Sequence, residues 1–467
     1  MILFILVLYM ACMLFVGWWC GKYYIKGMTD FLLAGRRLGP WLLTATLVAT
    51  HFGGGAVMGG GEYGYNYGLS GAWYGISCGV GLLFLFFTSK FRDLAIYTVP
   101  DYLEHRYGGK AVRVLGALLS LVALIGILAA QTIATQSALS IVGIKGDAGA
   151  VLATIVFIVY TMVGGLWADT LTDFIQIIIA AIGVVWATMI VLSKAGGMAG
   201  LSSLVADKGV TDQYFNIWGM GFSSIMWILI PTVMYTLIGQ DFYQRLFSAR
   251  DSKVAKIGSL AGGIVMIILS LFPAIIGMGA RALSDIDDAS SAVPWVLQNL
   301  MNPVVGGIFL AAILAAIMST ASSLLTAATA HIVKDLWVET FHVDEAKEEK
   351  RLLAVSRNFT FILGILSLII ALKVPGIIDA LIYSYTMYTA GVFIPVMGGL
   401  LWKGATRAGA LSSIIAGSII ALAGILTKIK DKYFGAPVEV YAALISLVIF
   451  VIVSLATQPK KVDEPAK

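Results

Sequence analysis

Residues 316–323 read AIMSTASS and lie inside an apolar stretch that is long enough to cross a membrane. In a helix, positions i, i+3 and i+4 share one face. Ala316, Ser319 and Thr320 have this spacing, and Ser319, Ser322 and Ser323 repeat it. Hard cations prefer oxygen ligands, and we extend this preference from calcium and magnesium to sodium because oxygen dipoles replace water in each case. The pattern therefore indicates a cation site on one helix.

The same hydroxyl groups have a simpler interpretation. Ser and Thr are common in membrane helices, where they bond to the carbonyl four residues earlier or to a neighbouring helix. The pattern at 316–323 alone is therefore compatible with helix packing, and the remainder of the chain decides between the two interpretations.

The composition excludes a water-soluble globular protein. Of the 467 residues, 59% are hydrophobic and only 12% are charged, and the mean hydropathy is +0.91. A hydrocarbon core needs about 20 apolar residues per helix, which predicts an all-α polytopic membrane protein with about thirteen transmembrane helices. The predicted segments are 2–24, 40–68, 69–92, 111–142, 147–165, 168–194, 216–240, 253–281, 303–335, 352–373, 376–402, 408–427 and 438–457.

The loops between these segments indicate the orientation. An odd number of spans places the termini on opposite sides, and Lys and Arg are concentrated in alternate loops, for example at Arg36, Arg37, Lys253, Lys350 and Arg351. Basic loops stay in the cytoplasm. We therefore expect a multi-pass protein of the cell membrane with its N-terminus outside and its C-terminus cytoplasmic. The net charge of +5 reflects this excess and does not indicate nucleic-acid binding.

The second segment has an unusual glycine content, because residues 49–62 read ATHFGGGAVMGGGE. Glycine is favoured where membrane helices cross closely, but two triplets exceed that pattern and predict an unwound helix whose free carbonyls face a cavity. Pro231 and Gly239 interrupt a later segment in a similar way. We therefore predict two inverted repeats of about five helices each, 40–194 and 216–402, whose first helices are broken.

The remaining segments complete one transmembrane domain over 1–467. Residues 1–39 are predicted to form an extra N-terminal helix and loop, 408–457 two C-terminal helices, and 458–467 a cytoplasmic tail. Hydrophilic inserts of domain size are absent from the sequence. No nucleophile with a base, metal cluster or phosphate-binding loop is evident, so the sequence does not predict an enzyme.

Four further stretches are similar to one family. They are TDFLLAGR at 29–36, TVPDYL at 98–103 followed by RYG at 106–108, GGLWAD at 164–169 with Thr172, Asp173 and Gln176, and GQD at 239–241 with Gln244 and Arg245. Over nearly its whole length the chain resembles the sodium/solute symporters. The resemblance implies an inverted-repeat, LeuT-like core with broken first and sixth core helices, and sodium-coupled import of a small organic solute by alternating access.

The resemblance also implies ligands for a central sodium ion. Carbonyl donors fall on Ala49 and Phe52 of the broken helix, and on Ala316 of the eighth core helix. Hydroxyl donors fall on Ser319 and Thr320. These five residues join the glycine-rich segment to the stretch at 316–323.

Some members of that family have a second sodium site. Its positions here are Asp173, Ser319, Ser322 and Ser323. A carboxylate in a membrane segment is costly to bury without a partner and is therefore a functional candidate. The alternative for Asp173 is a charge at a helix N-terminus.

The substrate is expected beside the sodium ion, between the two broken helices. The predicted contacts are Thr50, His51, Gly53, Gly54, Gln131, Gln240 and Tyr385. Gln131 is the preferred contact because its position resembles one that reads substrate in the family. None of these residues is Lys, Arg, Asp or Glu, so the ligand is expected to be neutral, zwitterionic, or an anion held by half-helix N-termini.

The prediction is thus a sodium-coupled symporter with one or two coupling ions, a small-molecule substrate and the lipid bilayer as partners, working as a monomer. A membrane sensor of solutes built on the same fold is the alternative. The absence of a signalling domain from these residues weighs against the sensor.

Overall fold

The computed structural model describes residues 1–144, 147–210, 212–345, 347–373, 377–427 and 435–458, with the backbone alone over 377–384. Apart from an isolated bridge between Leu38 and Ala249, these residues form helices, turns and loops. All of the predicted tail 458–467 except Gln458 lies outside the described residues. The expected all-α architecture is confirmed.

The α-helices are numbered here in chain order. They are α1 Ile2–Tyr23, α2 Met28–Leu33, α3 Pro40–His51, α4 Gly60–Tyr67, α5 Trp73–Phe84, α6 Val99–Tyr107, α7 Lys110–Ser140, α8 Asp147–Ala195, α9 Gly197–Ala206, α10 Phe222–Thr236, α11 Gln240–Ser248, α12 Ser252–Leu283, α13 Ala292–Leu300, α14 Pro303–Ala330, α15 Glu339–Phe341, α16 Glu349–Ala371, α17 Ile377–Leu401, α18 Arg407–Leu426 and α19 Val438–Thr457. Two π-helical segments, Gly55–Gly59 and His331–Val338, precede α4 and α15. The 3₁₀ segments are Ala34–Arg36, Gly68–Ala72, Leu85–Leu94, Asp212–Phe215 and Ala289–Ser291.

Within the described ranges, nine helices are long and apolar enough to cross a membrane, or ten if one bent pair counts as a single span. The expected number of about thirteen therefore stays a prediction. One reason for the difference is α8, a 49-residue element that contains a break at Gly165. Gly165 has φ 50° and ψ −149°, and a β-carbon there would lie 2.5 Å from the Phe31 carbonyl oxygen. Only glycine fits this backbone, and the break falls between the predicted segments 147–165 and 168–194.

Helix geometry is interrupted at the glycine run that begins at Gly53 and next to Gly239, whereas Pro231 lies inside the continuous helix α10. Helix α3 ends at His51, Phe52 has φ −78° and ψ 61°, and the π-helical segment begins at Gly55. Helices α10 and α11 meet at a bend of 47°. Their equivalence as the first and sixth core helices of an inverted repeat stays a prediction.

Helix α14 lies at the centre of the molecule. It begins the span Pro303–Phe341, and 83% of the most apolar 18-residue window of this span is buried. The corresponding share is 28% in α1 and in α19. Helix α14 packs against α8, α7, α3 and α1. A helix that is apolar on every face belongs in a core, and its many Ala, Ser and Thr residues let neighbouring backbones approach closely. The cation-site pattern is therefore placed in the most buried part of the fold.

Candidate functional site

The break after α3 leaves one carbonyl oxygen available to α14. In a continuous helix the Gly53 amide would donate to the Ala49 carbonyl. Here the Gly53 amide donates to the His51 carbonyl at 2.8 Å instead. The Ala49 carbonyl accepts from the Ser319 and Thr320 hydroxyls, each at 3.1 Å. The helix break thus lets Ala49 bond to Ser319 and Thr320, which follow it in the sequence by 270 and 271 positions.

Each of these hydroxyls has one hydrogen, and the Ala316 carbonyl is its second acceptor within reach, at 2.9 Å from Ser319 and 3.3 Å from Thr320. The structure therefore brings together four of the five predicted central ligands. The fifth, Phe52, is buried at the broken end of α3, and its amide donates to the Val48 carbonyl at 2.8 Å. Its own carbonyl takes no part in these hydroxyl contacts.

Glycine is required next to this cluster. A β-carbon on Gly53 would lie 2.4 Å from the Thr320 hydroxyl and 3.0 Å from Gln131 Oε1. A methyl group at that position would force α3 away from α14. Gly53 therefore serves close backbone approach as well as unwinding.

The second predicted set lies one helical turn further along α14. Ser323 contacts the Thr50 hydroxyl at 3.2 Å. Ser322 donates to the Ser319 carbonyl at 3.1 Å. Asp173 accepts from the Thr46 hydroxyl at 2.5 Å through Oδ2, and its Oδ1 is buried without a hydrogen-bond partner among the described residues. Asp173 is fully buried and lies eight residues after the break at Gly165 of α8, away from a helix N-terminus.

A guanidinium group that the sequence argument did not place in a site lies in this second set. Arg245 is completely buried, and it donates to the Ser323 hydroxyl, to the Thr46 hydroxyl at 3.2 Å and to the Asp241 carbonyl at 2.9 Å. Its charge also acts on the carboxylates of Asp169 and Asp173. The signal was present in the sequence, because Arg245 closes the stretch that begins with GQD at 239–241.

Of the predicted substrate contacts, Gln131 and the first two glycines lie together. Gln131 Oε1 accepts from the Gly54 amide at 3.0 Å and thereby joins α7 to the break. His51 Nε2 is 3.0 Å from the Thr236 hydroxyl, and its ring lies 4.3 Å from that of Phe242. These contacts join the broken end of α3 to α7, through Gln131, and to α10 and α11, through His51.

The other three predicted contacts have different neighbours. Thr50 donates to the Thr46 carbonyl at 2.7 Å within α3, and its contact with Ser323 at 3.2 Å places it beside the second set. Gln240 accepts from the Val99 amide at 2.9 Å and donates to the Tyr97 carbonyl at 3.1 Å, which ties α11 to the start of α6. The Tyr385 ring lies 5.9 Å from that of Tyr235.

Carbonyl and hydroxyl oxygens that converge at a helix break in a membrane protein are the ligands that a small hard cation requires. The chain belongs to the sodium:solute symporter family, whose model matches residues 31–417. It is 29% identical to the sodium/pantothenate symporter of Escherichia coli (strain K12) over 91% of this chain and 90% of that protein. It is 26% identical to sodium/proline symporter 2 of Staphylococcus saprophyticus over 89% and 84%.

Among solved structures, the fold matches that of a Na⁺-coupled sialic acid symporter in a substrate-bound outward-open state. The TM-score is 0.80, the sequence identity is 20%, and the match covers 98% of each chain. Family and fold together establish a multi-pass membrane transporter whose coupling ion is sodium. Its relatives are transporters and not enzymes.

Proposed function

We propose that this protein imports a small organic solute across the cell membrane, with a sodium ion held by Ala49, Phe52, Ala316, Ser319 and Thr320. The observation that carries the proposal is the convergence of two carbonyl and two hydroxyl oxygens from α3 and α14. We further propose a monomer of one transmembrane domain, with its N-terminus outside and its C-terminus cytoplasmic.

The coupling between ion and solute follows from shared residues. A sodium ion between α3 and α14 fixes the broken end of α3, and the next residues, Gly53 and Gly54, contact Thr320 and Gln131. The ion thus stabilises the backbone on which the substrate pocket is built. Coupling is then a difference in solute affinity between the ion-bound and ion-free states, and it is reciprocal.

The gradient available to such a carrier is large. Moving one charge across 100 mV provides about 2.3 kcal/mol, and a tenfold sodium gradient adds about 1.4 kcal/mol. One ion therefore supports roughly 500-fold accumulation of a neutral solute. A second ion would square that ratio.

We propose that this second ion is held by Asp173, Ser319, Ser322 and Ser323. The ion and the Arg245 guanidinium then alternate at Ser323. The Ser323 hydroxyl accepts from Arg245. A sodium ion on the same oxygen would lie beside the guanidinium charge. Two cations at such a short distance repel each other strongly in a buried site. Occupation by the ion therefore requires Arg245 to leave Ser323, and its return favours release of the ion.

For the solute we propose a small compound that carries a carboxylate. Pantothenate, proline and sialic acid, the solutes in the names of the relatives and of the matched structure, all carry this group. The contacts predicted here include no Lys or Arg. The carboxylate is therefore balanced by the bound sodium charge and by backbone amides at the helix breaks.

The test is thermal stabilisation of the purified protein in sodium and in potassium, with proline, short monocarboxylates, pantothenate, sugars, choline and nucleobases. We expect one carboxylate compound to raise the unfolding temperature in sodium only. Stabilisation by a sugar in sodium would retain the symporter and change the solute class. Stabilisation by no solute and no preference for sodium would contradict the proposal and favour a sensor.

A further inference from the structure

A basic groove lies between α1, α8 and α16, away from the sodium sites. Its cavity has a volume of about 440 Å³, and its wall includes Trp18 and Lys22 of α1, Val163 of α8, and Arg357 and Asn358 of α16. Two cations and a side-chain amide face this cavity, and no residue of its wall is acidic. The groove therefore has the charge of an anion site.

Neither cation is neutralised within the described part of the chain, where neither forms an ion pair within 4.0 Å. Arg357 donates to the Val163 carbonyl at 3.3 Å through Nη2, while its Nε is buried with no hydrogen-bond partner among the described residues. Lys22 Nζ lies 5.2 Å from the ring centres of Trp18 and Tyr23. Burying a guanidinium whose N–H donor has no acceptor costs free energy, unless an anion accepts that hydrogen bond and balances the charge.

Aromatic residues mark the level of the groove in the membrane. Trp19 and Tyr24 have ring centres 5.2 Å apart, and Tyr24 and Trp167 have ring centres 4.9 Å apart. Tryptophan and tyrosine concentrate at the membrane–water interface. Since these rings and Trp18 lie at the end of α1 that carries Lys22, the groove opens at the interface on the side predicted to be cytoplasmic.

The surface that continues from the groove towards the bilayer centre is apolar. Phe15 precedes Trp18 by three residues, Val159 precedes Val163 by four, and Phe361 follows Arg357 by four. Each is one helical turn deeper in the membrane, and their exposed fractions are 60%, 37% and 50%. A charged pocket above an exposed apolar surface matches a ligand with an anionic head and hydrocarbon chains.

We propose that this groove binds an anionic phospholipid. The phosphate lies between Lys22 and Arg357, the Asn358 amide contacts the headgroup, and the acyl chains follow Phe15, Val159 and Phe361. Basic pockets between membrane helices on the cytoplasmic side are a known way to bind such lipids. A free phosphate would use the cations and leave the apolar surface uncovered, so the lipid is the better match.

The test uses native mass spectrometry of the purified full-length protein in detergent with phosphatidylglycerol or phosphatidylcholine. We expect retained phosphatidylglycerol on the unmodified protein, and about a tenfold loss of that adduct in the double variant Lys22→Gln, Arg357→Gln. Matched controls are Lys256→Gln, a lysine 5.5 Å from the Phe86 ring outside the groove, and Arg351→Gln, an exposed arginine on α16 paired with Glu348. Both controls should retain the lipid.

Equal retention in the double variant and the controls would overturn the proposal, as would complete displacement of the lipid by millimolar inorganic phosphate. A second measurement needs no variant. A photoactivatable phosphatidylglycerol should label the unmodified protein within residues 15–22, 159–163 and 357–361. Labelling confined to other helices would also overturn the proposal. Neither measurement depends on sodium or on transport, so the lipid site and the proposed function can fail separately.

Discussion

Two sets of hydroxyl groups on α14 have the same spacing and different surroundings. Ser319 and Thr320 face the Ala49 carbonyl at the break after α3, and no charged side chain is bonded to either hydroxyl within the described part of the chain. Ser323 accepts from the Arg245 guanidinium beside Asp173 and Thr46. The comparison teaches that a Ser/Thr pattern gives the number of hydroxyl oxygens that could bind an ion. The neighbouring helices decide whether those oxygens are open to the ion or are already bonded to another group.

The largest effect is expected for Ser319→Ala, because Ser319 belongs to both sets. Loss of this hydroxyl should lower the apparent sodium affinity about 100-fold, the upper range for losing a group that holds a metal ligand in place. Sodium titration of solute uptake in proteoliposomes measures it. Thr329→Ala is the matched control, because Thr329 lies on the same helix and bonds to Leu325 and Thr360. Equal sodium affinities in Ser319→Ala and Thr329→Ala would show that Ser319 is not a ligand of the sodium ion.

A smaller effect is expected for Asp173→Asn, which changes only the second set. The sodium Hill coefficient of uptake should fall from near two towards one, because the amide no longer offers a negative charge to the ion. The apparent sodium affinity of the remaining ion should change by less than about tenfold. A Hill coefficient of one in the unmodified protein would show that the second set holds no coupling ion.

Arg245→Gln tests the exchange between guanidinium and ion. Removal of the resident charge should raise the apparent affinity for the second sodium ion by about three- to tenfold, since one repulsive cation is lost. The measurement is ²²Na binding at equilibrium on purified protein. Arg245→Lys keeps the charge and serves as the control. Unchanged binding in a folded Arg245→Gln protein would mean that Arg245 is only structural.

The smallest effect is expected for Ser322→Ala. The Ser322 hydroxyl donates to the Ser319 carbonyl at 3.1 Å within its own helix, and Tyr160 and Asp169 of α8 are also its hydrogen-bond partners, so its oxygen already has several partners other than an ion. We expect about a threefold loss of affinity for the second ion in the same ²²Na assay. A loss as large as that of Ser323→Ala would place both hydroxyls equally close to the ion.

Helical spacing predicted which residues share a face, and it placed Ala316, Ser319 and Thr320 together correctly. Spacing does not give the rotation of one helix against another. Spacing therefore does not reveal that Thr50, a predicted substrate contact, also bonds to Ser323. It likewise does not bring Arg245 to the second set, because the hydrogen bond to Ser323 spans 78 positions in sequence. Such contacts depend on tertiary packing and not on local pattern.

The same limit applies to the fold. Composition and hydropathy predicted a polytopic all-α protein, because apolar length is a local property. The break in α8 was placed by length alone, and its cause, the approach of Gly165 to Phe31, is tertiary. Length alone gives 216–240 as one segment, and it is Gly239 that indicates the bend between α10 and α11.

The carbonyl of Ala49 limits how this protein can change its ion. Ala49, Phe52 and Ala316 are proposed to act through the main chain, so no side-chain substitution removes those donors. A side chain at position 53 is blocked by Thr320. We therefore expect the ion preference of the central site to vary through the side chains at positions 319 and 320, and a library restricted to these two positions should contain the variants whose central site accepts lithium or protons.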